Sequence, residues 1–191
     1  MANEFGDELP RNCQVIEVHV GELNQLFNAM DPAPFRERDL DPNADAFIVD
    51  SAKELGHRER PLGLMVYVDR EAVTEEQANV VKEAVHQYFA NRARATRLQL
   101  RELFRNGRIS LVIGLLFVAA TVLASDLVQN NFEGRRFTKV LSESLVIAGW
   151  VAMWRPIEVF LYEWWPIRGE ARLYVTLSEI PVRLVQHAHA H

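Results

Sequence analysis

The sequence predicts an α+β membrane protein. A small N-terminal α/β cytoplasmic domain of order β-α-α-β-α is joined by a long helix to a two-helix transmembrane hairpin. Three observations predict this. An uncharged run extends from Ile109 to Ser125, an interrupted apolar stretch follows from Val140 to Phe160, and residues 13–90 alternate between strand-like and helix-like patterns. The expected divisions are a loose N-terminus (1–12), the α/β domain (13–90), a basic juxtamembrane helix (91–108) and a first span (109–128). An external loop (129–139), a second span (140–160) and an interfacial amphipathic segment with a tail (161–191) follow.

Val15, Glu17 and His19 alternate with Ile16, Val18 and Val20, the period of a half-buried strand that Gly21 ends. Leu23, Leu26, Phe27 and Met30 share one face of a helix that the Pro32 and Pro34 turn would stop. The next helix has a clear start, because Asp41 can cap free amides and Pro42 suits the first helical position. Its expected apolar face is Ala44, Phe47, Ile48, Ala52 and Leu55, with Gly56 as the stop. Leu62–Val68 reads as a strand buried on both faces. Thr74 and Gln77 form a capping box that opens a long helix with the stripe Val81, Ala84, Val85, Tyr88 and Phe89. That helix is expected to run through the arginine-rich stretch, with a break at Asn106–Gly107. Two strands make a thin sheet, so a third is expected either from Val182–Val185 or from a second subunit.

Crossing a hydrocarbon core of roughly 30 Å takes about 20 helical residues. Ile109–Val128 meets that length with Asp126 as its only ionised side chain, near one end. The second span holds Glu143 at one end and Arg155, Pro156 and Glu158 at the other, where Trp150, Trp154, Tyr162, Trp164 and Trp165 crowd as an interfacial belt. Beyond Pro166, Leu173, Leu177 and Ile180 continue at helical spacing. They suit an interfacial helix or, equally, a core helix of the domain.

The formal net charge is -5, with the acidic residues concentrated in residues 1–90 and the basic ones after them. Arg92, Arg94, Arg97, Arg101, Arg105 and Arg108 precede the first span and face only Glu102. The positive-inside rule then places both termini in the cytoplasm. Arg94, Arg97, Arg101, Arg105 and Arg108 form the expected membrane-surface collar. Nucleic acid is excluded as a partner, because the adjoining domain is acidic and no base-stacking aromatics interleave the arginines. The lone Cys13 fits a reducing compartment, and the acidic start argues against a signal peptide.

Asp39, Asp41, Asn43, Asp45 and Asp50 imitate the spacing of a calcium loop. Ala44 stands where glycine is needed, Pro42 stiffens the turn, and a capped helix explains the same residues better. Of the terminal His187, His189 and His191, a helix would bring only His187 and His191 to one face, with no third ligand in view, so no metal and no cofactor are expected. No nucleophile signature and no glycine-rich phosphate loop appear, so an enzyme is not expected. Asp126, Glu143 and Arg155 are the ionisable groups within the spans, and such groups are functional candidates by default.

The segment Leu26–Leu55, with its Phe27–Asp41 core FNAMDPAPFRERDLD, and the Arg155–Ile167 stretch with Trp164-Trp165-Pro166 carry a family resemblance. The chain resembles a family of uncharacterised bacterial two-helix inner-membrane proteins with a small N-terminal cytoplasmic domain. The resemblance implies location and architecture and brings no activity. The expected role is a membrane-anchored binding or scaffolding protein, held in the lipid bilayer, that presents its acidic domain to a protein partner. Phe35, Arg36, Arg38 and Asp39 are the candidate contact residues. The alternative is a homo-oligomeric channel or transporter subunit with Asp126 and Glu143 lining a path.

Overall fold

The computed structural model describes residues 3–34, 38–56, 60–131 and 136–186. The chain is α+β, with one mixed four-stranded sheet and two helices long and apolar enough to cross a membrane. It divides into two compact units, one from residues 1–95 with 170–191 and the other from residues 96–169.

The first unit holds the sheet. Its strands are β1 (Asn3–Gly6), β2 (Gln14–Val20), β3 (Leu62–Val68) and β4 (Val182–Gln186), in the spatial order β1-β4-β3-β2. β2 and β4 both run parallel to β3, with Val18 opposite Val66 and Val66 opposite Leu184, and β1 runs antiparallel to β4. Parallel neighbours need crossover connections, usually helical. Helix α1 (Pro42–Leu55) lies in the β2–β3 connection. The β3–β4 connection contains α2 (Glu75–Asn131), α3 (Arg136–Glu158), a π-helical turn (Val159–Glu163) and α4 (Trp164–Leu177). The entire second unit is therefore inserted between two hydrogen-bonded strands of the first.

Alternation decides which sheet face is covered. Ile16, Val18, Leu64, Val66, Val68, Val182 and Leu184 form a core with Ile48 and Ala52 of α1, Val81, Val85 and Phe89 of α2, and Tyr174 and Leu177 of α4. Glu17 and His19 are exposed on the other face, where the His19 ring stacks on Tyr67 at 4.5 Å. Gly6 closes β1 at φ 97°, in the left-handed region that only glycine adopts without cost. A Cβ there would lie 2.6 Å from the Val182 carbonyl oxygen.

Helix starts follow the expected chemistry. The Asp41 side chain accepts the Asn43 amide at 2.9 Å, and Pro42 occupies the first turn of α1. Gln77 Oε1 accepts the Thr74 amide at 2.9 Å, and Thr74 Oγ1 accepts the Gln77 amide at 3.3 Å, the two halves of a capping box.

Five local expectations are corrected. Residues 3–6 of the expected loose N-terminus are a strand, because β4 offers them a sheet edge. The helix expected from Leu23 shrinks to a 3-10 turn, Leu23–Leu26. Phe27 instead bridges Leu40, and Met30 is 91% exposed. On α1, Val49 faces the core while Phe47 is 52% exposed. α2 is helical through Asn106 and Gly107, with no break. The end of α4 is not an interfacial helix: Ala171, Tyr174 and Leu177 are buried, and Leu177 is fully enclosed by the sheet core.

In the second unit, α2 and α3 pack along a seam of small residues. Gly107, Gly114 and Thr121 recur every seven positions on one helix, and Ser142, Gly149 and Pro156 recur every seven on the other. All six are buried. A repeat of seven keeps one stripe facing a partner helix. The glycines permit close approach: a Cβ on Gly149 would lie 2.7 Å from Thr121 Oγ1, and one on Gly107 would lie 2.8 Å from Val159. Thr121 Oγ1 donates to the Val118 carbonyl at 2.8 Å, so its hydroxyl is satisfied within its own helix. The Ser125 and Ser142 hydroxyls hydrogen-bond to each other across the seam. Pro156 lacks the amide proton of a helical residue, and the π-helical turn begins three residues later.

Candidate functional site

Three features stand out: the basic stripe on α2, the loop between Phe27 and Leu40, and the ionisable groups of the helix pair.

Helical spacing sets the stripe. Arg94, Arg97, Arg101, Arg105 and Arg108 follow one another three or four residues apart, so they share one side of α2, and all five are exposed. Arg94 donates to the Ala90 carbonyl at 3.4 Å and to Asn91 Oδ1 at 2.7 Å. Among the described residues, Arg97, Arg101, Arg105 and Arg108 have no carboxylate within ion-pair distance.

Arg92 departs from the stripe. Its guanidinium forms an ion pair with Asp45 of α1, and it lies 4.7 Å from the Tyr174 ring centroid and 5.9 Å from that of Tyr88. Burial lowers the guanidinium pKa, but the hydrogen bond and charge of Asp45 outweigh it, and the group holds its proton above the ordinary arginine value. Burial raises both phenols, so Tyr88 and Tyr174 remain neutral. This four-residue clamp joins α1, α2 and α4 within the first unit. Sequence reading misses it, because Asp45 fits a calcium-like spacing and Arg92 fits the arginine run. The calcium imitation dissolves in the same contacts: Asp41 caps a helix and Asp45 holds Arg92. Among the described residues, no three His, Cys, Asp or Glu side chains converge to hold a metal ion.

Asp7 ties the strand end to α2. Its carboxylate accepts Lys82 Nζ at 2.6 Å and the Val182 amide at 3.4 Å. Burial raises its pKa, but the Lys82 hydrogen bond, the Val182 amide and the charges of Lys82 and His86 bring it below the ordinary value.

The loop is pinned at its base and braced from inside. The Asp41 amide donates to the Leu26 carbonyl at 2.9 Å, and the Asn28 amide donates to the Asp39 carbonyl at 2.8 Å. Asp31 accepts the Ala33 amide at 2.9 Å on one oxygen and the Asp39 amide at 2.8 Å on the other. The Asp39 amide, more than any other group, lowers the Asp31 pKa. A carboxyl with a depressed folded pKa contributes its full stabilisation above the unfolded value of about 4, and loses it as pH falls through the folded value. Asp31→Ala is expected to speed protease cleavage between residues 28 and 39 severalfold at pH 7, with far-ultraviolet circular dichroism unchanged. Of the expected contact residues, Arg38 is half-buried and Asp39 exposed, while Phe35 and Arg36 lie outside the described residues.

Asp126 and Glu143 are both exposed, each next in sequence to a serine of the buried Ser125–Ser142 pair and so about 100° round its helix from the seam. Arg155 pairs with Glu158 at 3.2 Å and Glu163 at 2.7 Å. The expected histidine tail lies outside the described residues. No protein-family model, no curated protein and no solved structure matches this chain.

Proposed function

We propose that this protein is a membrane-anchored binding or scaffolding module of the bacterial inner membrane, with both termini in the cytoplasm. The first unit presents an acidic α/β surface to a protein partner, and the helix pair fixes it to the bilayer. The observation that carries this reading is the placement of both long apolar helices between β3 and β4. Hydrogen-bonded neighbours in one sheet occupy one compartment. A chain that enters a bilayer between them therefore returns to the side it left, which favours two complete crossings over one. The seam supports the same reading, since small residues in contact are the means by which helices associate in lipid. Large apolar side chains, among them Leu116, Leu123, Ile147 and Val151, point outward from that seam. Arginines on the flank select the cytoplasmic side, and the resemblance carried by Phe27–Asp41 and Trp164–Pro166 motivates the bacterial inner membrane.

Side-specific labelling tests the topology. In a Cys13→Ser background, a cysteine replacing exposed Asn12 should react with a membrane-impermeant maleimide only after the cells are opened. One replacing Gln129 should react in intact cells. The reverse pattern would overturn the cytoplasmic placement of the termini, and labelling of both in intact cells would remove the two-crossing reading. Affinity capture in mild detergent tests the partner: a specific companion should co-purify with the intact chain and be depleted in the Asp31→Ala variant.

The second reading is an oligomeric channel or transporter subunit. The outward placement of Asp126 and Glu143 favours it, because a neighbouring helix pair could meet them there. Unchanged ion flux in vesicles bearing Asp126→Asn and Glu143→Gln variants would remove it.

A further inference from the structure

We propose that Arg101, Arg105 and Arg108 hold the phosphate of an anionic phospholipid at the membrane surface. The inference rests on the membrane reading and goes beyond it, since a topology signal needs only charge, whereas a site needs geometry at a defined depth.

The depth is set by contacts within the second unit. The ring centroid of Phe104 on α2 is 6.2 Å from that of Phe160 and 6.3 Å from that of Trp164, and Gly107 meets Val159. Residues 104–107 therefore stand level with residues 159–164. At that level Tyr162 is 71% exposed and neighbouring Trp165 is 66% exposed. Exposed tyrosine and tryptophan mark the headgroup layer, where an apolar ring meets a polar edge. Arg105 and Arg108 lie at that level, and Arg101 about one turn beyond it. Arg97 lies about 10 Å past Phe104 by helical rise, outside a headgroup layer of roughly 5–8 Å.

Charge points the same way. Arg101 and Arg105 stand four residues apart and Arg105 and Arg108 three apart, spacings at which like charges repel. A shared anion converts that repulsion into attraction. Glu163, a nearby candidate counter-charge, is engaged by Arg155 at 2.7 Å. A guanidinium offers a planar fork of donors that matches two phosphate oxygens at once, which a diffuse positive potential does not require. The apolar side chains that follow, Ile109, Val112 and Ile113, are exposed and supply a surface for the acyl chains.

The test uses the full chain, purified in mild detergent and examined by native mass spectrometry with added phosphatidylglycerol or phosphatidylcholine. Wild type should retain phosphatidylglycerol preferentially. The Arg101→Gln, Arg105→Gln and Arg108→Gln triple variant should lose most of that preference, about fivefold for each guanidinium removed, the equivalent of about 1 kcal/mol. Arg97→Gln should leave it intact. Equal retention of the two lipids by wild type overturns the proposal, as does an equal loss in Arg97→Gln. Displacement of the lipid by millimolar glycerol phosphate would assign the site to a free phosphate and overturn the lipid assignment. Thermal unfolding of each variant in the same detergent confirms that it is folded, and the single Arg105→Gln variant serves if the triple variant is not. Flotation of wild type with liposomes reads anchoring separately, so that failure to float counts against the membrane reading and loss of lipid preference alone counts against the site.

Discussion

Leu184→Asp is expected to unfold the α/β unit while leaving the α2–α3 helix pair intact. Leu184 is fully buried in β4, which lies between β1 and β3 and is β1's partner in the sheet. The substitution removes an apolar side chain worth about 1.5–3 kcal/mol of burial and adds a carboxylate among Leu64, Val66 and Leu177. Burying an unpaired charge belongs to the small group of changes that exceed about 4–5 kcal/mol, against a total of about 5–15 kcal/mol for a domain. A chain ending at Leu177 should behave the same way, because β1 would lose its partner and β3 its neighbour. Limited proteolysis of membrane vesicles checks both: residues 1–95 should become sensitive while a fragment spanning residues 109–158 stays protected. Retained protease resistance in the truncated chain would mean that a strand from another subunit completes the sheet, the alternative the sequence left open. The last strand comes from the same chain, although more than a hundred residues separate it from β3.

That separation explains what was legible in the sequence. β2, β3 and the starts of α1 and α2 are encoded locally, by alternation at Val15–Val20, by Asp41 before Pro42 and by Thr74 with Gln77. Their predicted positions agree with the structure to within a residue or so. β1 carries no such pattern. Asn3–Gly6 becomes a strand because β4 pairs with it and because Arg183 reaches Glu4 at 2.7 Å and the Asp7 carbonyl at 3.0 Å. The stripe of Leu173 and Leu177 suits a lipid surface and a sheet equally well, and only the return of the chain to β3 decides between them. Helical spacing alone turns Met30 and Phe47 inward, yet both are exposed. The Phe27–Leu40 bridge ended one helix early, and Val49 took the inward place on the other. Among the site residues, exposure of the arginine stripe and the pairing of Arg155 with Glu158, three residues on, follow from spacing, whereas the contact of Arg155 with Glu163, eight residues on, does not. The Arg92–Asp45 clamp does not, since its partners lie far apart in sequence and each fits a more obvious local pattern. The seam was visible in principle. Gly107, Gly114 and Thr121 against Ser142, Gly149 and Pro156 repeat every seven residues, a period that average hydropathy conceals.

The seam yields the second large effect. Gly149→Leu is expected to separate α2 from α3, because even a methyl group at Gly149 would lie 2.7 Å from Thr121 Oγ1 and 3.6 Å from the Val118 Cα. Thr121 has limited room to yield, since it is buried and its hydroxyl is bonded to Val118. Overfilling a packed contact costs about 1–3 kcal/mol when the surroundings adjust, and a leucine side chain here meets backbone, so the upper end applies. A disulfide reports the outcome. With Cys13 changed to serine and cysteines placed at Ser125 and Ser142, whose hydroxyls are in contact, mild oxidation should link the two helices. Adding Gly149→Leu should abolish most of the link. Gly149→Ala should weaken it, and Thr121→Ala in the same chain should restore it, because removing the hydroxyl clears the space the methyl needs. Restoration separates a steric contact from a general loss of helix, which Thr121→Ala would not repair. If Gly149→Leu leaves the disulfide yield unchanged, the close approach at this seam is not what holds the pair.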